Sequence, residues 1–142
     1  MVVLFLMALP PILVSACLVG LCTRYDGGCR ANALCLDALR GLAWVPCCPE
    51  QLGGLPTPRP AADMFGGDGD AVLAGTARII TKNGADVTAS FLRGAEECAK
   101  LAALLGVRRA FLKARSPSCA VSGVIGVAAA RLRRLGVTLV EF

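Results

Sequence analysis

Short apolar stretches alternate along the chain with longer stretches whose apolar residues recur at helical spacing. Short apolar runs without polar alternation are typical of strands that are buried on both faces of a sheet. They occupy residues 12–16, 42–46, 77–81, 109–114 and 137–142. Helical spacing covers residues 31–40, 88–105 and 124–135. This alternation predicts an α/β fold, a single Rossmann-like domain over residues 1–142 with a mostly parallel sheet and helices on both faces.

The clearest helix is predicted over residues 88–105, where the apolar positions form one face that ends at Leu105. Asp86 or Thr88 can cap its N-terminus, and Gly106 ends it. The segment 53–60, GGLPTPRP, contains too much glycine and proline for regular structure and is predicted to be a loop.

Composition narrows the chemistry that is available to the chain. The 142 residues are 56% hydrophobic and carry a formal charge of +5, and there is no histidine. Serine–histidine triads and histidine-ligated zinc are therefore excluded. A modest positive field favours a small anionic or polar substrate. Because Phe111 is the only aromatic residue among the basic residues of the last third, we expect no stable complex with nucleic acid.

The eight cysteines and the apolar N-terminus leave two interpretations open. An even number of cysteines could form disulfides in an exported protein, and LVSAC (13–17) resembles a lipoprotein cleavage site with Cys17 as the lipidated residue. However, no basic residue precedes Arg24, and Pro10 and Pro11 interrupt the apolar run. We therefore expect free thiols, a cytoplasmic protein that does not associate with membranes, and an apolar N-terminal extension over residues 1–10.

Three cysteines each follow a predicted strand. Cys17 follows the first strand, Cys48 the second and Cys119 the fourth. Because the carboxyl ends of parallel strands meet at one edge of a sheet, where ligands bind, we expect these thiols to lie close together. Three thiolates without histidine suit a soft metal centre, although separate buried thiols are an equally good interpretation.

Polar residues next to these cysteines are candidates for proton transfer. Glu50 lies two positions after Cys48, and Ser116 and Ser118 flank Pro117 in SPSC. The carboxylate can act as a general acid or base, and either hydroxyl can contact a substrate or pass a proton. The alternative interpretation is a solvated loop carboxylate and serines that stabilise a turn.

Several motifs occur together in an order that is specific to one family. They are ILVSACLVG, RYDGG, VPCCPEQLGGLPTPRPAAD, DVTASFLRGAE, FLKARSPSC and the terminal GVTLVEF. With these motifs the chain resembles the thiouracil desulfidase family from about residue 11 to residue 142. It departs from the family pattern after Cys119, where the segment is short and Ala120 stands where glycine is common.

The resemblance implies a [4Fe-4S] cluster on Cys17, Cys48 and Cys119, with one iron free to bind the sulfur of a thiolated pyrimidine. It implies non-redox conversion of 2-thiouracil to uracil and hydrogen sulfide, with the small thiolated base as the partner. Glu50 and Ser116 match the catalytic acid/base positions. Substrate contacts are expected from Ser118 and Arg59.

Three questions stay open from the sequence. Cys47 is a rival to Cys48 as a ligand, although Cys48 holds the position before Pro49 and Glu50. The chain could instead be a non-catalytic iron–sulfur or metal-binding protein, or an exported lipoprotein or disulfide protein. The sequence does not predict an oligomeric state.

Overall fold

The predicted apolar runs form strands in a computed structural model that describes residues 9–142. The strands are β1 (Ile12–Ser15), β2 (Trp44–Cys47), β3 (Ala62–Phe65), β4 (Arg78–Thr81), β5 (Arg109–Leu112) and β6 (Thr138–Glu141). The α-helices are α1 (Ala33–Leu39), α2 (Pro49–Leu52), α3 (Gly69–Ala74), α4 (Thr88–Leu105) and α5 (Val127–Arg134), and a 3-10 helix spans Ala16–Val19. Residues 1–8, most of the expected N-terminal extension, lie outside the described residues.

Four of the strands form a parallel sheet in the order β2-β1-β5-β6. All four residues of β1 are buried, because helices cover both faces of the sheet. Leu13 and Leu112 pack in a core with α4 and α5, whereas Val14 and Phe111 pack with α1 and the 3-10 helix. The predicted α/β fold class is therefore confirmed.

Two of the predicted strands lie in surroundings that differ from the expected ones. The strand predicted at 77–81 is β4, which pairs antiparallel with β3 outside the main sheet. β2 was expected to be buried and to end at Pro46, but it lies at the sheet edge and continues through Pro46 to Cys47. An edge position tolerates proline, because the strand needs a hydrogen-bonding partner on only one side.

Helix α4 begins and ends where the sequence predicts, and Gly106 terminates it with a positive φ of 66°. The N-cap residue is Val87 and makes no side-chain capping bond, so neither Asp86 nor Thr88 is the cap; Asp86 instead accepts a hydrogen bond from the backbone N–H of Thr88. The predicted apolar face is correct except at Leu105, which is exposed.

Two glycines allow the backbones that carry the candidate residues to approach the helices closely. A Cβ atom on Gly94 of α4 would collide with the carbonyl of Pro49, and one on Gly126 would collide with the backbone of Ser118. Glycine at these positions therefore fixes α2 and the segment before Cys119 directly against the helical layer. Among the described residues, no helix is long and apolar enough to cross a membrane.

Candidate functional site

A cavity of about 590 Å³ opens at the carboxyl edge of the parallel sheet. Cys17 enters it from the 3-10 helix that directly follows β1, and Cys48 enters it from the residue after β2. Cys119 enters it from the segment that follows β5. All three are free cysteines. The expected convergence of three strand-end thiols therefore occurs, because all three line this one cavity.

Burial controls the protonation of these thiols. Desolvation raises the pKa of Cys17, Cys48 and Cys119 above the ordinary value of a cysteine. The neighbouring Cys48 adds to the rise at Cys17, and Cys17 in turn contributes to the rise at Cys119. Three neighbouring sulfurs, one buried and two half-buried, need a positive centre to exist together as thiolates, and a bound metal centre supplies that charge.

The donor atoms at the cavity suit a soft metal centre. Within residues 9–142, no three cysteine, histidine or carboxylate side chains are close enough to share one metal ion. The three thiols nevertheless line one cavity. The soft donors and the cavity therefore fit an iron–sulfur cluster held by Cys17, Cys48 and Cys119.

Cys47 is directed towards a different partner from Cys48. Its Sγ lies 3.7 Å from the Sγ of Cys98 on α4, in the core beneath the sheet edge. Cys47 also borders the cavity, but its Sγ is already in contact with Cys98, and the next side chain, Cys48, points to the opposite side of the extended backbone. The geometry therefore favours Cys48 over Cys47 as the ligand.

Two cysteines differ from the expectation of free thiols. Cys22 and Cys29 form a disulfide between Cα atoms 4.3 Å apart. The intervening turn, closed by a hydrogen bond from the N–H of Gly27 to the carbonyl of Arg24, brings these exposed residues together. The expectation is therefore wrong at this pair, whose loop contributes Thr23, Arg24 and Tyr25 to the cavity.

Glu50 lies in the first turn of α2, two residues after Cys48, and lines the cavity. Pro49 occupies the first helical position, where its missing N–H costs nothing. The Oε1 atom of Glu50 accepts a hydrogen bond of 3.2 Å from Nε of Arg59, which also lines the cavity. The predicted carboxylate is thus in the same cavity as the thiols.

The two predicted serines are placed differently. Ser116 lines the cavity, and its Oγ accepts hydrogen bonds from the N–H groups of Ser118 and Cys119 at 3.2 and 3.1 Å. Its own O–H remains available as a donor to a bound molecule. Ser118 is 1% exposed and does not line the cavity, because its backbone packs on Gly126. The structure therefore does not bring Ser118 to the site.

Comparisons with known proteins identify the family. The family model described as 2-thiouracil desulfurase matches residues 12–140. The chain belongs to this family. The resemblance recognised in the sequence motifs is thereby confirmed.

Two relatives of this 2-thiouracil desulfurase family member cover most of its length. The uncharacterized protein YbbK of Bacillus subtilis (strain 168) is 38% identical over 143 residues, which span 92% of this chain and 94% of YbbK. A solved structure described as the [4Fe-4S]-dependent thiouracil desulfidase TudS is also 38% identical. It superimposes with a TM-score of 0.77 over 94% of this chain and 91% of that chain.

Sequence reasoning missed several polar residues of this desulfurase-family cavity. Lys113 and Arg115 line it directly after β5, so the same strand-end rule that selected the cysteines would have selected them. Asp63 on β3 and Lys82 directly after β4 also line it, and no sequence pattern indicates that this two-stranded sheet borders the site. The basic side chains make the rim attractive to polar or anionic molecules.

Proposed function

We propose that this chain is a [4Fe-4S]-dependent desulfidase that converts a thiolated pyrimidine, such as 2-thiouracil, to the oxygen-containing base and hydrogen sulfide. The observation that carries the proposal is the arrival of three free thiols from three strand ends, with Glu50, in one cavity. Family membership and the likeness to TudS support the same conclusion.

The cofactor and the chain contribute different chemistry. When bound to Cys17, Cys48 and Cys119, the cluster supplies Lewis-acid chemistry at the iron that has no cysteine ligand. The cavity volume of about 590 Å³ leaves room for a single-ring base beside it. The chain then has to orient that base and manage the protons of an incoming water.

Glu50 is the proposed general base. Among the hydrogen bonds of residues 9–142, its carboxylate uses only Oε1, so Oε2 is available to a water molecule in the cavity. Water adds to the carbon that carries sulfur, Glu50 accepts the proton of that water, and the carbon–sulfur bond breaks. The reaction balances as thiouracil plus water giving uracil plus hydrogen sulfide, with no oxidant or reductant.

Ser116 is the proposed proton relay or orienting group. Both hydrogen bonds that its Oγ accepts come from its own turn, so the oxygen is held in place while its O–H is available to donate to a bound molecule. A ring nitrogen or the departing sulfur of the substrate can serve as that acceptor. This role needs no change in the backbone of the segment before Cys119.

Cellular setting and organisation follow from the same chemistry. We propose that the protein is cytoplasmic, because a catalytic iron–sulfur cluster and free cysteine ligands suit a reducing compartment. We also propose that residues 1–142 form one domain. We also retain the expectation that it forms no stable complex with nucleic acid.

The test is hydrogen sulfide release from 2-thiouracil by protein purified without oxygen, compared with Glu50→Gln. The desulfidase proposal predicts that Glu50→Gln keeps the iron and sulfide content but loses about 10²- to 10⁴-fold in turnover, the usual contribution of a general base. A non-catalytic cluster carrier would release no sulfide in either form. Equal turnover in both forms would remove Glu50 from the mechanism.

A further inference from the structure

All of the hydrogen-bonding capacity of Arg59 is used inside the protein. Its Nε donates to Glu50 at 3.2 Å, and its Nη1 donates to the Pro56 carbonyl at 3.2 Å and to Thr57 Oγ1 at 2.9 Å. Its Nη2 donates to the Thr23 carbonyl at 2.9 Å and contacts the Sγ of Cys48 at 3.9 Å. A guanidinium has five N–H donors, and these five contacts occupy every one of them.

The burial of Arg59 agrees with this internal role. Its side chain is 4% exposed, although the residue borders the cavity. A substrate that took a hydrogen bond from this guanidinium would have to displace one of its protein acceptors, and that acceptor would then be buried without a partner. Direct contact with substrate is therefore an unfavourable use of Arg59.

We infer that Arg59 is a positioning residue, which fixes the Glu50 carboxylate relative to the sulfur of Cys48, rather than a substrate-binding residue. This inference rests on the proposed function, because it assigns Glu50 as the base and Cys48 as a cluster ligand. Nε of Arg59 holds Oε1 of Glu50, and Oε2 has no hydrogen bond among the described residues. Because the other four N–H donors anchor the planar guanidinium, this bond has a fixed direction that a lysine ammonium on a flexible stem would lack.

Arg59 also connects the disulfide-closed loop 22–29 to the site. Its backbone N–H donates to the Tyr25 carbonyl at 2.8 Å, in addition to the side-chain bond to Thr23. These two bonds hold one wall of the cavity against the segment that carries Cys48 and Glu50. An N–H contact to a ligand sulfur also withdraws electron density from it, which raises the reduction potential of a bound cluster.

The experiment compares cluster-loaded wild type with Arg59→Gln and Arg59→Lys, using sulfide release and the reduction potential of the cluster. Misplacing a catalytic group by about 1 Å costs up to about 100-fold, so we expect kcat to fall about 10- to 100-fold. KM should stay within about twofold, because no substrate contact is removed. The cluster potential should become more negative in Arg59→Gln. Arg78→Gln is the control, since Arg78 is exposed, pairs with Asp86 and lies outside the cavity.

A rise in KM of about tenfold with unchanged kcat would show a substrate-binding residue and overturn the inference. An unchanged cluster potential with unchanged kcat would overturn it as well. If Arg59→Gln does not fold, Thr57→Val removes one acceptor of the guanidinium, and the inference requires a lower kcat at constant KM there. Because the potential is measured without substrate, it tests the Arg59–Cys48 contact even if the wild type released no sulfide and the desulfidase proposal failed.

Discussion

Cys47 and Cys48 are adjacent in sequence, but their thiols have different partners. Both residues border the cavity that Cys17 and Cys119 line, but the Sγ of Cys47 contacts Cys98 on α4, whereas the Sγ of Cys48 contacts the Thr23 carbonyl and Arg59. The change of direction follows from strand geometry, since β2 ends at Cys47 and successive side chains point to opposite sides. A shift of one position along the backbone therefore decides which partners a cysteine thiol meets.

The largest expected effect separates these two neighbours. Cys48→Ala removes a proposed cluster ligand, so iron content should collapse. Sulfide release should fall by at least about 100-fold, because losing even a residue that only hydrogen-bonds a metal ligand costs about 10- to 100-fold. Cys47→Ala is the matched control and should retain both iron and turnover. Iron analysis of the two variants prepared side by side tests this, and the opposite ranking would make Cys47 the ligand.

The next prediction concerns the backbone that presents Cys119. In Gly126→Ala the new Cβ collides with the backbone of Ser118, so the ligand-bearing segment must move. We expect a loss of about 1–3 kcal/mol in the free energy of unfolding, as for other overpacked sites, together with reduced iron content.

A glycine with a positive φ, away from the cavity, provides the control for this variant. Gly41 has a positive φ of 75°, and a Cβ there meets no atom within 4 Å. Gly41→Ala should cost about 1–2 kcal/mol through backbone strain while iron content stays normal. Equal iron loss in the two variants, measured beside chemical denaturation, would mean that stability rather than the position of Cys119 governs cluster retention.

A smaller effect is expected in the core region. Cys98 is fully buried, and its hydrogen-bond contact with Cys47 together with desolvation raises the pKa of its thiol, so it acts as a small apolar side chain. Cys98→Ala should lower the free energy of unfolding by about 1 kcal/mol, similar to other small deletions from a core. Iron content and kcat should be unchanged. A cluster lost specifically in Cys98→Ala would show that the core thiols share the function of the cavity thiols.

The smallest expected effect depends on pH. Glu141 accepts hydrogen bonds from the N–H groups of Val121 and Ser122 just beyond Cys119, and the bond from the Ser122 hydroxyl together with these lowers its pKa below the ordinary 4.5. A lowered carboxyl pKa stabilises the folded state above the ordinary value, and this contribution disappears as pH falls through the lowered pKa. Glu141→Gln should therefore be less stable than wild type at neutral pH, with the difference shrinking in acid. A pH-independent difference in denaturation curves would contradict the account.

Sequence reasoning predicted the elements whose signals are long or repeated. Helix α4 has eighteen residues, so its periodicity and its terminal Gly106 define both ends. The convergence of the cysteines was predictable because it needs only strand order and the rule for carboxyl ends. Glu50 and Ser116 also reach the cavity, as their sequence proximity to ligands suggests.

Other features depend on contacts that are remote in sequence and were therefore not predictable. Helix α2 has only four residues, and strand β3 contains Asp63, so neither shows a helical period or an unbroken apolar run. Arg59 was expected to face the substrate, and only its contacts with Thr23 and Glu50, 36 and 9 residues away, reveal its internal role. Whether Cys22 and Cys29 pair depends on the turn between them, which a cysteine count does not specify.

The central claim is tested most directly by iron and acid-labile sulfide analysis of wild-type protein purified without oxygen, with an electron paramagnetic resonance spectrum after reduction. The account predicts about four irons and four sulfides per chain, the content of one cubane cluster. It also predicts that Cys17→Ala, Cys48→Ala and Cys119→Ala each lose this content. Protein that holds a single zinc or no metal, yet releases sulfide from 2-thiouracil at full rate, would contradict it.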